Sequence, residues 1–327
     1  MFLRFFRSSF ATQYILISLV GLLLWGHAFF HPPLMPVPEG PAPLYSFLYH
    51  LISGYPLLAV ILGYLLVLGS SFFLNWLITR HELVIKNSSL TALFFIFLAS
   101  YLPFLLTIHP INISVLFFLI IVKQLFGSYN KDESLEYIYA AGFFVSIGSF
   151  FYFPFILFFF FILLSFIVFR STSWRDWMSA VIGLLTPWLF LAVYYFCFNK
   201  IGYKLDEYWQ FIKIPLHTPF NTSTVFLIFS SIIVFGLVVG LFNNLSHLSE
   251  KTIEIRKKNI LLYWFILLII LTFPFAGNMQ DYHFQFTVIA ISTFFSSYML
   301  QQRKTFVAEL FSILFFIAIV LNNLIFG

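Results

Sequence analysis

Residues 135–198 read LEYIYAAGFFVSIGSFFYFPFILFFFFILLSFIVFRSTSWRDWMSAVIGLLTPWLFLAVYYFCF. Three apolar blocks lie here, 135–153, 154–169 and 178–198, joined by two junctions of different kinds. One is a sharp turn at Tyr152-Phe153-Pro154. The other is a wet junction from Arg170 to Asp176, containing the polar-aromatic knot Trp174-Arg175-Asp176-Trp177. A membrane crossing takes about 20 apolar residues. The blocks therefore read as three spans, and their two junctions must face opposite sides of the bilayer. The first two blocks are short enough to read alternatively as a re-entrant hairpin buried in protein.

Composition supports the same class. Of 327 residues 61% are hydrophobic and 9% charged, with 49 Phe, whereas a soluble chain carries about 25% charged residues. A mean hydropathy of +0.98 leaves no room for a large soluble domain. The expectation is an all-α polytopic transmembrane helix bundle, one domain over 1–327. Eleven apolar stretches qualify as spans: 12–30, 55–78, 89–108, 112–127, 135–153, 154–169, 178–198, 222–243, 260–276, 284–300 and 305–326. The first reads as a retained span, since no small-residue cleavage site follows it.

Charge sets the orientation. With Arg4 and Arg7 in the cytoplasm, the alternation of spans puts all but Lys200, Lys204 and Lys213 of the 17 Lys and Arg residues on the cytoplasmic side. That asymmetry is the topology signal of a membrane protein. It also explains the net charge of +5 without a nucleic-acid partner. The lone Cys197 excludes an intrachain disulfide and reads as a small buried hydrophobe. The 245–259 segment, rich in Glu and Lys, reads as a solvated helical face.

The outer loops, 31–53, 199–221 and 277–283, are where chemistry would sit. The first holds Pro32, Pro33, Pro36, Pro38, Pro41 and Pro43, which stiffen it, and then Leu44–Ile52, an aromatic amphipathic segment suited to the interface. The second contains a similar segment, Leu205–Ile212, followed by Pro215 and Pro219. On this frame His31, His50, His109, His217 and His283 collect outside with the acids Glu39, Asp206, Glu207 and Asp281. Imidazoles and carboxylates are the groups that move protons or hold phosphate and cations. A divalent metal is the cofactor such a set would take, yet no metal-ligand spacing stands in these loops. The competing reading is that these are solvated interface residues. Asp281 and His283 are the best placed, two apart beside the start of a span. Motifs for nucleophilic catalysis, P-loops and dinucleotide binding are absent.

Two resemblances follow from particular residues. The run Ala140-Ala-Gly-Phe-Phe-Val-Ser-Ile-Gly-Ser149, the knot Trp174–Trp177 and Gly183-Leu-Leu-Thr-Pro-Trp188 resemble the polytopic glycosyltransferases of the C-type fold. So does Phe273-Pro-Phe-Ala-Gly277 followed by Asp281-Tyr-His-Phe284. The same arrangement is similar, over most of the chain, to a family of uncharacterised multi-pass bacterial inner-membrane proteins. The first resemblance implies a polyprenyl-phosphate-linked or other lipid-linked substrate at the outer face of the inner membrane. Glu39 would then be the candidate base, with Asp281, His283 and His217 holding phosphate or metal. Those enzymes usually place an Asp in the first outer loop, where this chain offers Glu39, and the large outer C-terminal domain of many of them has no counterpart here. A non-enzymatic subunit or scaffold of an envelope complex is the second expectation. A transporter is the third; it would need mid-span charges at matched positions in two halves, which the sequence does not offer.

Overall fold

The structure is a computed structural model that describes residues 5–38, 40–84, 88–131, 133–170, 173–212, 238–275 and 280–301, with Phe316, Ile319 and Val320. The described residues are helical, with no strand among them. The helices are α1 (Ala11–Leu24), α2 (Gly26–Phe30), α3 (Pro43–Ile52), α4 (Pro56–Arg80), α5 (Leu90–Ala99), α6 (Pro110–Ser128) and α7 (Leu135–Ser149). They continue as α8 (Phe159–Phe169), α9 (Trp174–Cys197), α10 (Ile201–Ile212), α11 (Ile253–Thr272), α12 (Gln280–His283) and α13 (Thr287–Gln301). Residues 238–246 are also helical. The candidate spans 222–243 and 305–326 fall largely outside the described residues.

Four helical stretches are long and apolar enough to cross a membrane: Pro56–Arg80, Pro110–Ser128, Trp174–Cys197 and Ile253–Phe275. Proline sets where several helices begin. Pro43, Pro56 and Pro110 occupy first-turn positions of α3, α4 and α6, where the missing N–H costs nothing and the fixed φ favours the helix. Left-handed residues mark several ends: Glu82, Arg170 and Asn199 have φ of 51°, 60° and 52° after α4, α8 and α9.

Shorter apolar helices complete the bundle. The stretch 89–108 forms only the ten-residue α5, whose ten side chains are all buried. At a rise of 1.5 Å per residue it is roughly 15 Å long, short of the roughly 30 Å hydrocarbon core. Pro103 then interrupts the chain, and residues 100–109 run through the protein without regular helix apart from one 3₁₀ turn. Their backbone presses on α4 at Gly63, where a Cβ would lie 2.4 Å from the Thr107 carbonyl carbon. Ile108 N donates to Ala59 O at 3.1 Å. Irregular backbone is tolerated among apolar helices where protein encloses it in this way. The 12–30 stretch, expected as one span, is broken as well: α1 ends at Leu24, and buried Trp25 donates its indole N–H to Ser100 Oγ at 3.0 Å.

The core is a Phe-rich seam. Phe118 on α6 stacks on Phe265 of α11 at 3.8 Å between centroids, and Phe158, Phe161 and Phe286 close around them. The 135–169 region forms α7, a turn at 150–152, and the continuous helical stretch Phe153–Phe169. α9 buries Asp176, Ala180, Gly183 and Pro187, a 4-3-4 spacing that lies on one helical face. That face meets α7, while Leu185, Leu189, Phe190, Val193 and Phe196 are left exposed.

Three expectations are corrected. The Trp174–Trp177 knot is helical from Trp174, and Asp176 is buried in the first turn of α9, accepting from Ser134 Oγ at 2.8 Å, rather than part of a wet junction. A carboxylate is favoured there by the positive end of the helix dipole. Lys258 is not on a solvated face: its side chain is buried, hydrogen bonded to Glu254 and His81 and placed over the rings of Phe126 and Tyr129. Its neighbours Lys251 and Lys257 donate to Leu83 O and Phe169 O, at the ends of α4 and α8. Cations are stabilised at helix C-termini, so this lysine-rich end of the bundle is built from helix ends. Cys197, finally, is exposed at the end of α9.

Candidate functional site

The opposite end of the bundle gathers the Pro-rich loop, both amphipathic helices and the buried histidines. Its hub is the turn at 150–153. α3 docks with its first amides on this turn: Leu44 N and Tyr45 N donate to Phe150 O at 3.1 and 3.4 Å. Tyr45 is fully buried and donates its hydroxyl to Pro36 O at 2.7 Å, pinning the Pro-rich loop over α3. From the other side α10 packs Tyr208 and Phe211 against Phe153, with centroid distances of 5.2 and 5.5 Å. The loop and α10 also touch directly. Gly40 has φ +71°, and a Cβ on it would lie 2.3 Å from the Phe211 ring. Only glycine meets both the left-handed backbone and the contact.

Between α9, α10 and Phe153 lies a cleft of about 470 Å³, within the size range of small-molecule sites. Leu184, Leu185, Trp188 and Leu191 form one wall, and Leu205 and Tyr208 the other. Lys204 stands at its rim, 2.6 Å from Glu207 and over the faces of Tyr195 and Tyr203. Burial would lower the Lys204 ammonium, but the hydrogen bond and charge of Glu207 outweigh it and hold the group above its ordinary value. Among the described residues, Trp188 Nε1 and Tyr208 Oη in the wall are buried without a hydrogen-bond partner. Burial pushes the Tyr208 hydroxyl up in pKa, so it stays a neutral donor.

Beneath the hub sits a closed polar cluster. His283 is fully buried, its Nδ1 2.9 Å from Tyr152 Oη and its Nε2 2.9 Å from Thr272 Oγ1. Thr272 Oγ1 donates back into α11, to Leu268 O. Both ring nitrogens are thereby occupied within the protein. His109 is buried too: its Nδ1 accepts from Ile111 N at 3.2 Å, capping α6, and its ring lies 5.1 Å from that of Tyr282. Close by, Gln285 donates to Ala99 O and Asn112 donates to Leu105 O, tying the irregular 100–109 segment to the helices around it.

The residues singled out from sequence therefore part company. His109 and His283 come together through Tyr282 and lie inside the protein. His31 and His50 are exposed, as is Asp206, and Glu207 reaches the cleft rim through Lys204. Glu39, His217 and the side chain of Asp281 lie outside the described residues. None of the described candidates lines the cleft itself. Among the described residues no three His, Cys, Asp or Glu side chains form a metal-binding group. Sequence reasoning missed Tyr152, Thr272, Trp188 and Lys204. Of these only Lys204 carried a local signal, as a charge on an amphipathic helix.

No curated protein and no solved structure matches the chain. Residues 78–326 match the family of unknown function DUF6427, and the chain belongs to that family.

Proposed function

We propose that the chain is a multi-pass protein of a bacterial inner membrane that acts on a polyprenyl-linked or other lipid-linked substrate at the outer face. It would cross about eleven times by the length rule, with its N-terminus in the cytoplasm. The observation that carries this reading is the convergence of α3 and α10 on the 150–153 turn, beside an apolar cleft with a charged rim. Amphipathic helices of this kind lie at the membrane surface. A molecule that is part lipid and part polar needs an apolar trough opening onto such a surface. The one-sided distribution of Lys and Arg supports an outer position for this end. Glu39 is the base in this reading, with Asp281 and His217 on phosphate or a divalent metal. His283, held by Tyr152 and Thr272, supports the segment that carries Asp281. The test is turnover of polyprenyl-linked sugars in membranes by Glu39→Gln and Asp281→Asn. Loss in either supports the assignment, and full turnover in both removes it.

A second reading, a non-enzymatic subunit or scaffold of an envelope complex, is favoured by the closed histidine cluster and by the broad exposed apolar face of α9. Purification in mild detergent separates the two. A stable co-purifying membrane subunit supports the scaffold, and a single monodisperse species counts against it.

A further inference from the structure

The rim of the α9–α10 cleft carries one charge of each sign, Lys204 and Glu207, 2.6 Å apart. The trough below them is apolar, lined by Leu184, Leu185, Leu191 and Leu205. A purely anionic headgroup would meet Lys204 but be repelled by Glu207. A purely cationic one would meet the reverse. A headgroup with a phosphate and a primary ammonium side by side satisfies both rim charges at once. Charge-assisted hydrogen bonds of this type are the strong ones.

We infer that the cleft is a binding site for a zwitterionic membrane phospholipid of the phosphoethanolamine class, with the phosphate on Lys204, the ammonium on Glu207, and one acyl chain along Leu184, Leu185 and Leu191. At about 470 Å³ the trough takes part of one chain rather than a whole lipid. The remainder lies on the exposed apolar face of α9, continuous with bilayer lipid. Catalysis plays no part in this site. It shares the outer-face setting of the proposed function but does not depend on turnover.

The test uses the full chain reconstituted in vesicles of equal phosphatidylethanolamine, phosphatidylcholine and phosphatidylglycerol with identical acyl chains. After mild re-extraction, native mass spectrometry identifies the retained lipid. The wild type should retain phosphatidylethanolamine in preference to the other two. Lys204→Gln should weaken that retention about tenfold, the scale of one lost charge-assisted hydrogen bond. Glu207→Gln should abolish the preference and raise phosphatidylglycerol, because the repulsive carboxylate is gone while the phosphate partner stays. Ala192→Phe, filling the trough, should reduce retention of every lipid. Equal retention of the three lipids by the wild type, a wild-type preference for phosphatidylglycerol or phosphatidylcholine, or an unchanged preference in Glu207→Gln would each overturn the assignment. Should Ala192→Phe fail to fold, the two rim variants, on half-buried positions of α10, decide the matter. Lipid retention is read without any substrate, so a chain that transfers no sugar still passes or fails here on its own.

Discussion

Gly142 on α7 and Gly183 on α9 meet backbone to backbone. A Cβ on Gly142 would lie 2.3 Å from the Ala180 carbonyl oxygen, and one on Gly183 2.2 Å from that of Tyr139. Small residues are what allow membrane helices to approach this closely. The pair holds α9, and with it one wall of the cleft, against the rest of the bundle. Gly142→Ala must push the helices apart, and overpacking of this kind costs about 1–3 kcal/mol. Gly69 on α4 has open space around its Cβ position, so Gly69→Ala should be neutral or stabilising by about 0.5–1 kcal/mol. Unfolding in mixed micelles under increasing dodecyl sulfate measures both, and equal effects of the two substitutions would discard the close-contact account.

His283, Tyr152 and Thr272 form one hydrogen-bonded unit contributed by three elements. Tyr152→Phe leaves Nδ1 of a buried imidazole without its partner, at a cost of about 1–3 kcal/mol. His283→Phe removes both bonds. The double variant should lose clearly less than the sum of the two singles, because residues in one network couple. Thermal unfolding in detergent gives the cycle. Strict additivity would show that the cluster does not act as a unit.

His81 links stability to pH. It lies just beyond α4, its Nδ1 accepting from the Lys258 ammonium at 3.0 Å and its ring 5.2 Å from Phe126. Burial, followed by the charges of Lys258 and Arg80, pushes its pKa down from 6.5 to about 4, with Glu254 opposing. The folded state therefore keeps His81 neutral where the unfolded chain has begun to take up a proton. The unfolded state binds more protons between those two values, so this contribution to stability is intact above pH 6.5 and is lost as pH falls toward about 4. Melting temperatures measured across that window should fall with pH in the wild type and fall less steeply in His81→Asn, whose side chain retains an acceptor but does not titrate. Parallel curves would remove His81 as the source.

Orientation is open to single-cysteine labelling in a Cys197→Ser background. Gly54 is exposed with nothing near its Cβ position, and Ser173 is exposed at the start of α9. Gly54→Cys should react with a membrane-impermeant maleimide added outside intact cells, and Ser173→Cys only after the cytoplasmic side is opened. The reverse pattern would invert the chain, and with it the face assigned to the cleft.

Much of this architecture is local and was legible in the sequence. Helical membrane class follows from composition and from the length of apolar runs. The amphipathic segments within α3 and α10 were marked by their pattern and by flanking prolines. The break between α7 and Phe153 was marked by the turn at Tyr152-Phe153-Pro154, whereas the break at Pro103 falls inside a stretch that read as one span. What no local reading supplied is which side of a helix faces protein. His283 read as a group in an outer loop that could hold phosphate or metal, and Lys258 as part of a solvated face, yet both are buried. Tyr152 lies 131 positions from His283, and Lys258 177 from His81. The cleft likewise depends on α9 being held by Gly142 while α10 folds back over Phe153. Hydropathy reports what a residue is made of. Whether a polar atom meets water, lipid or another polar atom is decided by which distant helices close over it, because burial is tolerated only where a partner replaces the lost water.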